Sequence, residues 1–277
     1  MNKIIFITGA TNGIGLALFK ALISRGDHVL AVGSNKDKCS RLETEFHNQF
    51  PDAVFKIFAC DLSSQAAIQG LIIAAKEYLS SKNLDKIDCL INHAGSVMDH
   101  LQMTVDGIEY QLALNQLATI QLTESLLSYT EDGLVLFTGS TSHYKAKIHW
   151  DNLEFKKGFY RIFGSYRQSK LANVMTAKYY NYLWEGTNRR AYVIDPGLVK
   201  TNVGTKNMKG LPKLVWNIVK RRGDDPTVPI ETYLYVIDNR PDGFYFRDKK
   251  AINYNKSAND LDACKKLYQI SKAKIKF

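Results

Sequence analysis

Ile4-Ile5-Phe6-Ile7-Thr8-Gly9-Ala10-Thr11-Asn12-Gly13-Ile14-Gly15 decides the fold. Four apolar residues in a row form a short strand buried on both faces, and the glycines behind them, spaced G-xxx-G-x-G, form a turn. Leu16, Phe19, Leu22 and Ile23 then recur at helical spacing up to Gly26, so the run reads strand, glycine turn, helix. Glycine permits a tight turn and lets backbone amides approach a pyrophosphate, whose charge a helix N-terminus stabilises. Gly9, Thr11, Asn12, Gly13, Ile14 and Gly15 are the candidate contacts. A plain glycine turn is the alternative, and the buried strand directly before it argues for the phosphate reading.

The same alternation continues outward. Residues 28–32 read as a second strand, followed by a helix with Cys39, Leu42 and Phe46 on one face. Residues 54–59 are a third strand, followed by a helix through Ile68, Leu71, Ile72 and Ala75. Further buried runs at 87–91 and 134–137 flank a long helical pattern near 111–127, and a helix over 165–184 precedes a strand at 191–194. Strands apolar on both faces that alternate with helices predict a doubly wound parallel α/β sheet of the Rossmann type, because right-handed crossovers cover each face. No repeat, low-complexity tract or linker interrupts the chain, so residues 1–277 form one expected domain. In such folds a ligand sits beyond the carboxyl ends of the strands.

Composition bounds the function classes. With 277 residues, 45% of them hydrophobic, 23% charged, and only 18 glycines, 6 prolines and 4 cysteines, the chain is neither collagen, disordered nor a disulfide scaffold. Cys39, Cys60, Cys89 and Cys264 show no CxxC spacing and read as reduced, buried thiols of a cytoplasmic protein. No run approaches the ~18–20 apolar residues of a spanning helix, and the apolar start stops at Gly9, too soon for a signal peptide. A soluble, uncleaved chain is expected. The formal charge of +10 suits nucleic acid, an anionic membrane surface or a phosphorylated small ligand. Without a zinc-finger, RNA-recognition or helix-turn-helix signature, no nucleic-acid partner is expected.

The strand ends carry the candidate chemistry. After the third strand comes Asp61-Leu62, where a carboxylate suits an adenine amino group or, alternatively, caps the helix ahead of Ser63-Ser64. After the fourth comes Asn92-His93-Ala94-Gly95, whose small residues let a nucleoside lie against the backbone. His93 shares no metal-ligand spacing with another His, Cys or carboxylate, so no metal site is expected.

These residues resemble the short-chain dehydrogenase/reductase family, whose members carry TGxxxGxG, a D-[LV] pair, NAG, a serine and YxxxK at corresponding strand ends. Thr104-Val105-Asp106-Gly107-Ile108-Glu109, Asn115-Gln116-Leu117, Tyr166-Arg167-Gln168-Ser169-Lys170-Leu171-Ala172-Asn173, Asp195-Pro196-Gly197-Leu198-Val199-Lys200-Thr201 and Gly243-Phe244-Tyr245-Phe246 look like its retinol-dehydrogenase-like branch, which includes the WW-domain oxidoreductases. The resemblance covers nearly the whole chain. It implies a nicotinamide cofactor bound in part by Asn92, Ala94 and Gly95, and by Pro196, Gly197, Val199 and Thr201 near the carboxamide. It also implies that Asn115 holds a water linked to the catalytic lysine, with a core amide as the alternative. Relatives of this kind are often dimers or tetramers through two long helices.

The second strand ends Val32-Gly33-Ser34-Asn35-Lys36, without the Asp or Glu that would bind ribose hydroxyls and repel a 2′-phosphate. Ser34, Asn35 and Lys36 therefore favour NADP(H), although the resembling branch often has arginine at Ser34 and Lys36 also reads as a solvated helix residue.

Tyr166 and Lys170, four apart on a helix, project from one face. A YxxxK pair is cheap in a chain with 15 tyrosines and gains weight from its companions. An adjacent ammonium is expected to lower a phenol pKa of ~10 by ~1–3 units, making Tyr166 a proton shuttle, while Ser140 bonds the substrate oxygen. The expected reaction is hydride transfer between NADP(H) and an apolar carbonyl or alcohol. Residues 141–164, with His143, Tyr144, Phe159, Tyr160 and Phe163, are expected to shape the pocket or else to be core. The basic, apolar stretch 206–222 reads as part of a lid over 202–222, or as a segment lying on an anionic membrane. Two rivals stand beside this reading. One is a catalytically silent NADP-binding scaffold; the other is a nucleotide-sugar epimerase, which tends to carry GxxGxxG and a longer C-terminal domain.

Overall fold

The short apolar runs pair side by side into one sheet. A computed structural model describes residues 2–160, 162–199 and 223–277, with the backbone alone at Ile162. Its strands are β1 (Ile4–Thr8), β2 (His28–Gly33), β3 (Phe55–Ala59), β4 (Cys89–Asn92), β5 (Leu134–Thr138), β6 (Arg190–Ile194), β7 (Tyr245–Arg247) and β8 (Lys250–Ala251). They lie in the order β3-β2-β1-β4-β5-β6-β7-β8, all parallel except the β7–β8 pair. The doubly wound parallel α/β fold expected from the sequence is the one observed.

Alternation within each strand divides the core into two layers. Ile5 and Ile7 of β1 pack with Leu18, Phe19 and Leu22 of α1 (Gly13–Ser24), Phe46 of α2 (Lys36–Gln49) and Tyr233 and Val236 of α6 (Ile230–Asn239). Ile4 and Phe6 face the opposite layer. There they meet α3 (Gln65–Ser81), α4 (residues 110–125), α5 (Ile162–Leu183) and α7 (Leu261–Lys272). Every β1 residue is buried, as a strand covered on both faces requires. Asn35, Ser64 and Asp260 cap α2, α3 and α7 by accepting backbone N–H bonds.

The order turns back between β1 and β4, which opens a crevice at the carboxyl ends of β1, β4, β5 and β6. Three features depart from the expected pattern. β7 and β8 span three and two residues, too short for an apolar alternation to register. The fourth strand starts at Cys89, two residues late. Inside α4, Ala113–Leu117 widens to a π-helical turn, a local insertion frequent at functional sites. No helix among the described residues is long and apolar enough to cross a membrane.

Candidate active site

The glycine turn is shaped by backbone contacts that leave no room for side chains. A Cβ on Gly15 would sit 2.2 Å from the Gly9 carbonyl oxygen, and Gly9 itself adopts φ +72°. Asn12 occupies the N-cap of α1, yet its side chain makes no capping bond and the first turn holds no acidic residue. The leading N–H groups of this helix are thus left for an anion, as a pyrophosphate site requires. Asn12 and Ile14 line the central cavity. Thr11 is buried, with its side chain packed on Gly33, and so shapes the turn from beneath.

Beyond β2 the expected contacts are redistributed. Ser34 and Lys36 are exposed. Asn35 is exposed as well and caps α2, its Oδ1 accepting the Lys38 N–H at 2.7 Å. The missed residue is Lys38, whose ammonium hydrogen-bonds the Asn12 side chain and so joins the β2 end to the glycine turn. Beyond β3, Asp61 uses one oxygen to accept from the backbone N–H and hydroxyl of Ser63, while Ser64 caps α3; Leu62 is buried beside it. The Asn92 side chain turns inward. It is 2% exposed and its amide donates to Thr123, so it anchors β4 to α4 instead of facing the cavity. Thr8, unremarked in the sequence, holds the next turn: its hydroxyl accepts the N–H groups of His93 and Ala94, both at 3.0 Å.

At the other end of the crevice, Ser140, Tyr166 and Lys170 line one cavity of about 550 Å³ together with His93, Gly95, Pro196, Gly197 and Val199. α5 supplies Tyr166 and Lys170 one helical turn apart, as their spacing predicts. Lys170 Nζ donates to the Thr138 carbonyl at 2.9 Å and lies 5.9 Å from the centre of the Tyr166 ring. Burial pushes the Tyr166 phenol up to about 12, with the Ser140 hydroxyl pulling it back and the Asp195 carboxylate reinforcing the rise. Burial lowers Lys170 to about 8, and Asp195 resists that change. The direction is opposite to the expected lowering, with desolvation as the largest cause, and a phenol near 12 keeps its proton at neutral pH.

Asn115 is a buried, fully hydrogen-bonded amide. Its Oδ1 accepts from Ser96 N at 2.8 Å, and its Nδ2 donates to the Ser96 carbonyl and to Ser169 Oγ, each at 3.0 Å. Sitting in the π turn, it braces the loop after β4 against α5 one residue from Lys170, which makes it a positioning residue. Gly95 allows that convergence, since a Cβ there would approach Asn115 Oδ1 to 3.2 Å.

Two buried networks behind the cavity went unread in the sequence. His93 Nδ1 pairs with the Thr138 hydroxyl at 3.0 Å and with the Tyr233 hydroxyl at 3.3 Å, and burial lowers the imidazole to about 4, helped by the Lys170 charge. Asp195, 1% exposed, accepts from Tyr245 OH at 2.9 Å and from Gly197 N at 2.9 Å. His143 carries its ring between the Ser140 carbonyl (2.6 Å) and the Asn255 N–H (3.2 Å), so it is core and not pocket wall. Tyr144 and Phe163 do line the cavity. Tyr160 lines a neighbouring one, held by Glu109 and Gln111, and Phe159 is 98% exposed. Thr201 and the stretch 202–222 lie outside the described residues.

Known proteins resemble this chain in sequence and fold. The family described as short chain dehydrogenase matches residues 3–211. Human polyprenol dehydrogenase is 30% identical over 213 residues, 73% of this chain and 62% of that protein, so this chain spans under two thirds of that relative's length. Mouse retinol dehydrogenase 12 is 27% identical over 97% of this chain and 85% of its own. Among solved structures, a short-chain dehydrogenase from Sphingobium yanoikuyae in complex with NADPH superposes with a TM-score of 0.69 at 18% identity, covering 99% of this chain and 96% of that one. One from Burkholderia cenocepacia J2315 in complex with NADP gives 0.67 at 16%, covering 89% and 96%. With the glycine turn, the strand-end loops and the tyrosine-lysine helix all opening on one crevice, the chain belongs to the short-chain dehydrogenase/reductase family of oxidoreductases, in its retinol-dehydrogenase-like branch.

Proposed function

We propose that this chain is an NADP(H)-dependent oxidoreductase that interconverts an apolar carbonyl compound and its alcohol, with Tyr166 as the proton donor and acceptor. One observation carries the reading: Ser140, Tyr166 and Lys170 line the same cavity as Asn12, Ile14 and Pro196–Val199, so the nucleotide end and the proton-carrying end share one space. The uncapped first turn of α1 and the cradle that any Cβ on Gly15 would fill suit a dinucleotide. A β2 end without a carboxylate, and with Lys38 drawn to Asn12, supports a 2′-phosphate. So do the NADPH and NADP held by the two superposed relatives.

The bound nicotinamide supplies the hydride. The chain supplies position and a proton. A phenol held near 12 is neutral at physiological pH, so Tyr166 is loaded to protonate a carbonyl oxygen, with Ser140 beside it as a second hydrogen-bond partner for that oxygen. The phenolate left behind is supported by the Lys170 ammonium, which is largely protonated at neutral pH even at a pKa of about 8. Phe163, Leu198 and Val199 give the cavity an apolar wall. Thr201 as a carboxamide contact and 202–222 as a lid belong to this proposal by position in the chain. The alternative of a silent scaffold leaves the complete Ser140, Tyr166, Lys170 set without a purpose.

The test follows NADPH and NADH oxidation separately against retinoid, steroid, quinone and short aldehyde carbonyls. Tyr166→Phe is expected to cut kcat by ~10²–10⁴ with NADPH binding retained. Unchanged turnover in that variant overturns the assignment, and equal use of both dinucleotides overturns the NADP preference.

A further inference from the structure

The cavity at Tyr166 does not end at its apolar wall. Lys145, Phe163 and Arg167 line it and also line a second cavity of about 500 Å³, which continues past Lys147 and His149. The two spaces adjoin across these residues, with the proton-carrying tyrosine in the first and Lys145, Lys147 and Arg167 around the second. No Asp or Glu among the described residues lines either cavity. Among the described residues, Lys145, Lys147 and Arg167 make no ion pair. Two carboxylates near it are engaged elsewhere: Glu154 binds Lys156 at 2.8 Å and Lys274 at 2.9 Å, and Glu109 accepts from the Tyr160 hydroxyl at 2.7 Å.

Cations around an apolar space repel one another and gain most from an anion that enters with an apolar body. Arg167 adds a planar fork suited to a carboxylate or phosphate. We infer that the substrate is amphipathic: its carbonyl or alcohol carbon reaches Ser140 and Tyr166, and its far end carries a carboxylate or phosphate held by Arg167, Lys145 and Lys147. This deepens the oxidoreductase reading and rests on it.

The experiment compares NADPH-dependent reduction of decanal with that of 10-oxodecanoic acid and 10-oxodecyl phosphate. The anionic aldehydes are expected to have kcat/KM roughly tenfold higher, mostly through KM, with the advantage eroded at high salt. Arg167→Glu and Lys145→Glu are expected to abolish that ratio, and whichever of carboxylate or phosphate gains more identifies the anion. Equal efficiency for decanal, or a preference that survives Arg167→Glu, overturns the inference while leaving the oxidoreductase reading intact. If none of the aldehydes is reduced, the oxidoreductase reading fails for this class, and calorimetric binding of decanoate and decyl phosphate decides the anion site. Binding weakened by Arg167→Glu supports the site; binding unaffected by it, or none, overturns it. Sedimentation with phosphatidylcholine/phosphatidylserine vesicles that Arg167→Glu abolishes, without any anion preference in turnover or binding, assigns the cations to a bilayer and overturns it too.

Discussion

The two ends of the crevice are built by opposite means. At the β1–β2 end, recognition comes from backbone: glycines, an uncapped helix start and one lysine bridging two loops. At the β4–β6 end the crevice is lined and backed by buried or half-buried titratable side chains, His93, His143, Tyr166, Lys170, Asp195 and Tyr245, held by partners far away in sequence. A backbone site is specified locally and tolerates little steric change. A side-chain site is specified by tertiary contacts, and its behaviour is set by desolvation.

That contrast can be broken at several points. The largest expected effect is on the backbone side. Gly15→Ala forces a Cβ to 2.2 Å from the Gly9 oxygen and 2.9 Å from its carbon, and should cost roughly 1–3 kcal/mol of stability. Dinucleotide affinity should fall on the order of a hundredfold, about 2.7 kcal/mol, as followed by fluorescence titration. Retained affinity would mean that the turn is not the phosphate cradle.

On the side-chain side, pH is the lever. His93 titrates near 4 when folded, below the ordinary value of 6.5, so between those values the unfolded chain binds the extra proton. Its contribution to stability is complete above pH 6.5 and is lost as pH falls toward 4. His93→Asn should flatten this acid limb by up to about 1.4 kcal/mol per pH unit in urea unfolding curves. An unchanged slope would show that the imidazole is not held neutral.

Lys38→Glu should raise the KM for NADPH about tenfold, roughly 1.4 kcal/mol, with a smaller change for NADH. Equal changes for both would place Lys38 on the pyrophosphate instead of the 2′-phosphate. The smallest effect is the control for glycine itself. A Cβ on Gly70, within α3, meets nothing within 4 Å, so Gly70→Ala should raise stability by about 0.5–1 kcal/mol and Tm by roughly 2 °C.

The same division explains what was legible in the sequence. Six strands, the glycine turn and the Tyr166–Lys170 spacing are periodicities within a few residues, and they survive into the structure. The Asn35 cap was also within reach, because an asparagine directly ahead of a helix is a start signal. Other features depended on folding. The inward turn of Asn92, the link of Asp195 to Tyr245 fifty residues on, and the link of His143 to Asn255 are pairings that no local pattern encodes. The direction of the Tyr166 shift was misjudged for the same reason. Spacing shows a nearby charge, whereas burial is a property of the assembled core.

The link from Ser140 through His143 to Asn255, and from Asp195 to Tyr245, places supports of Ser140 far downstream of it in the chain. During synthesis the glycine turn emerges well before these supports. A ribosome-bound or clipped chain that stops before them would hold the glycine turn and its uncapped helix while Ser140 still lacked its braces, so the two ends of the crevice are completed at different times by the order of translation itself.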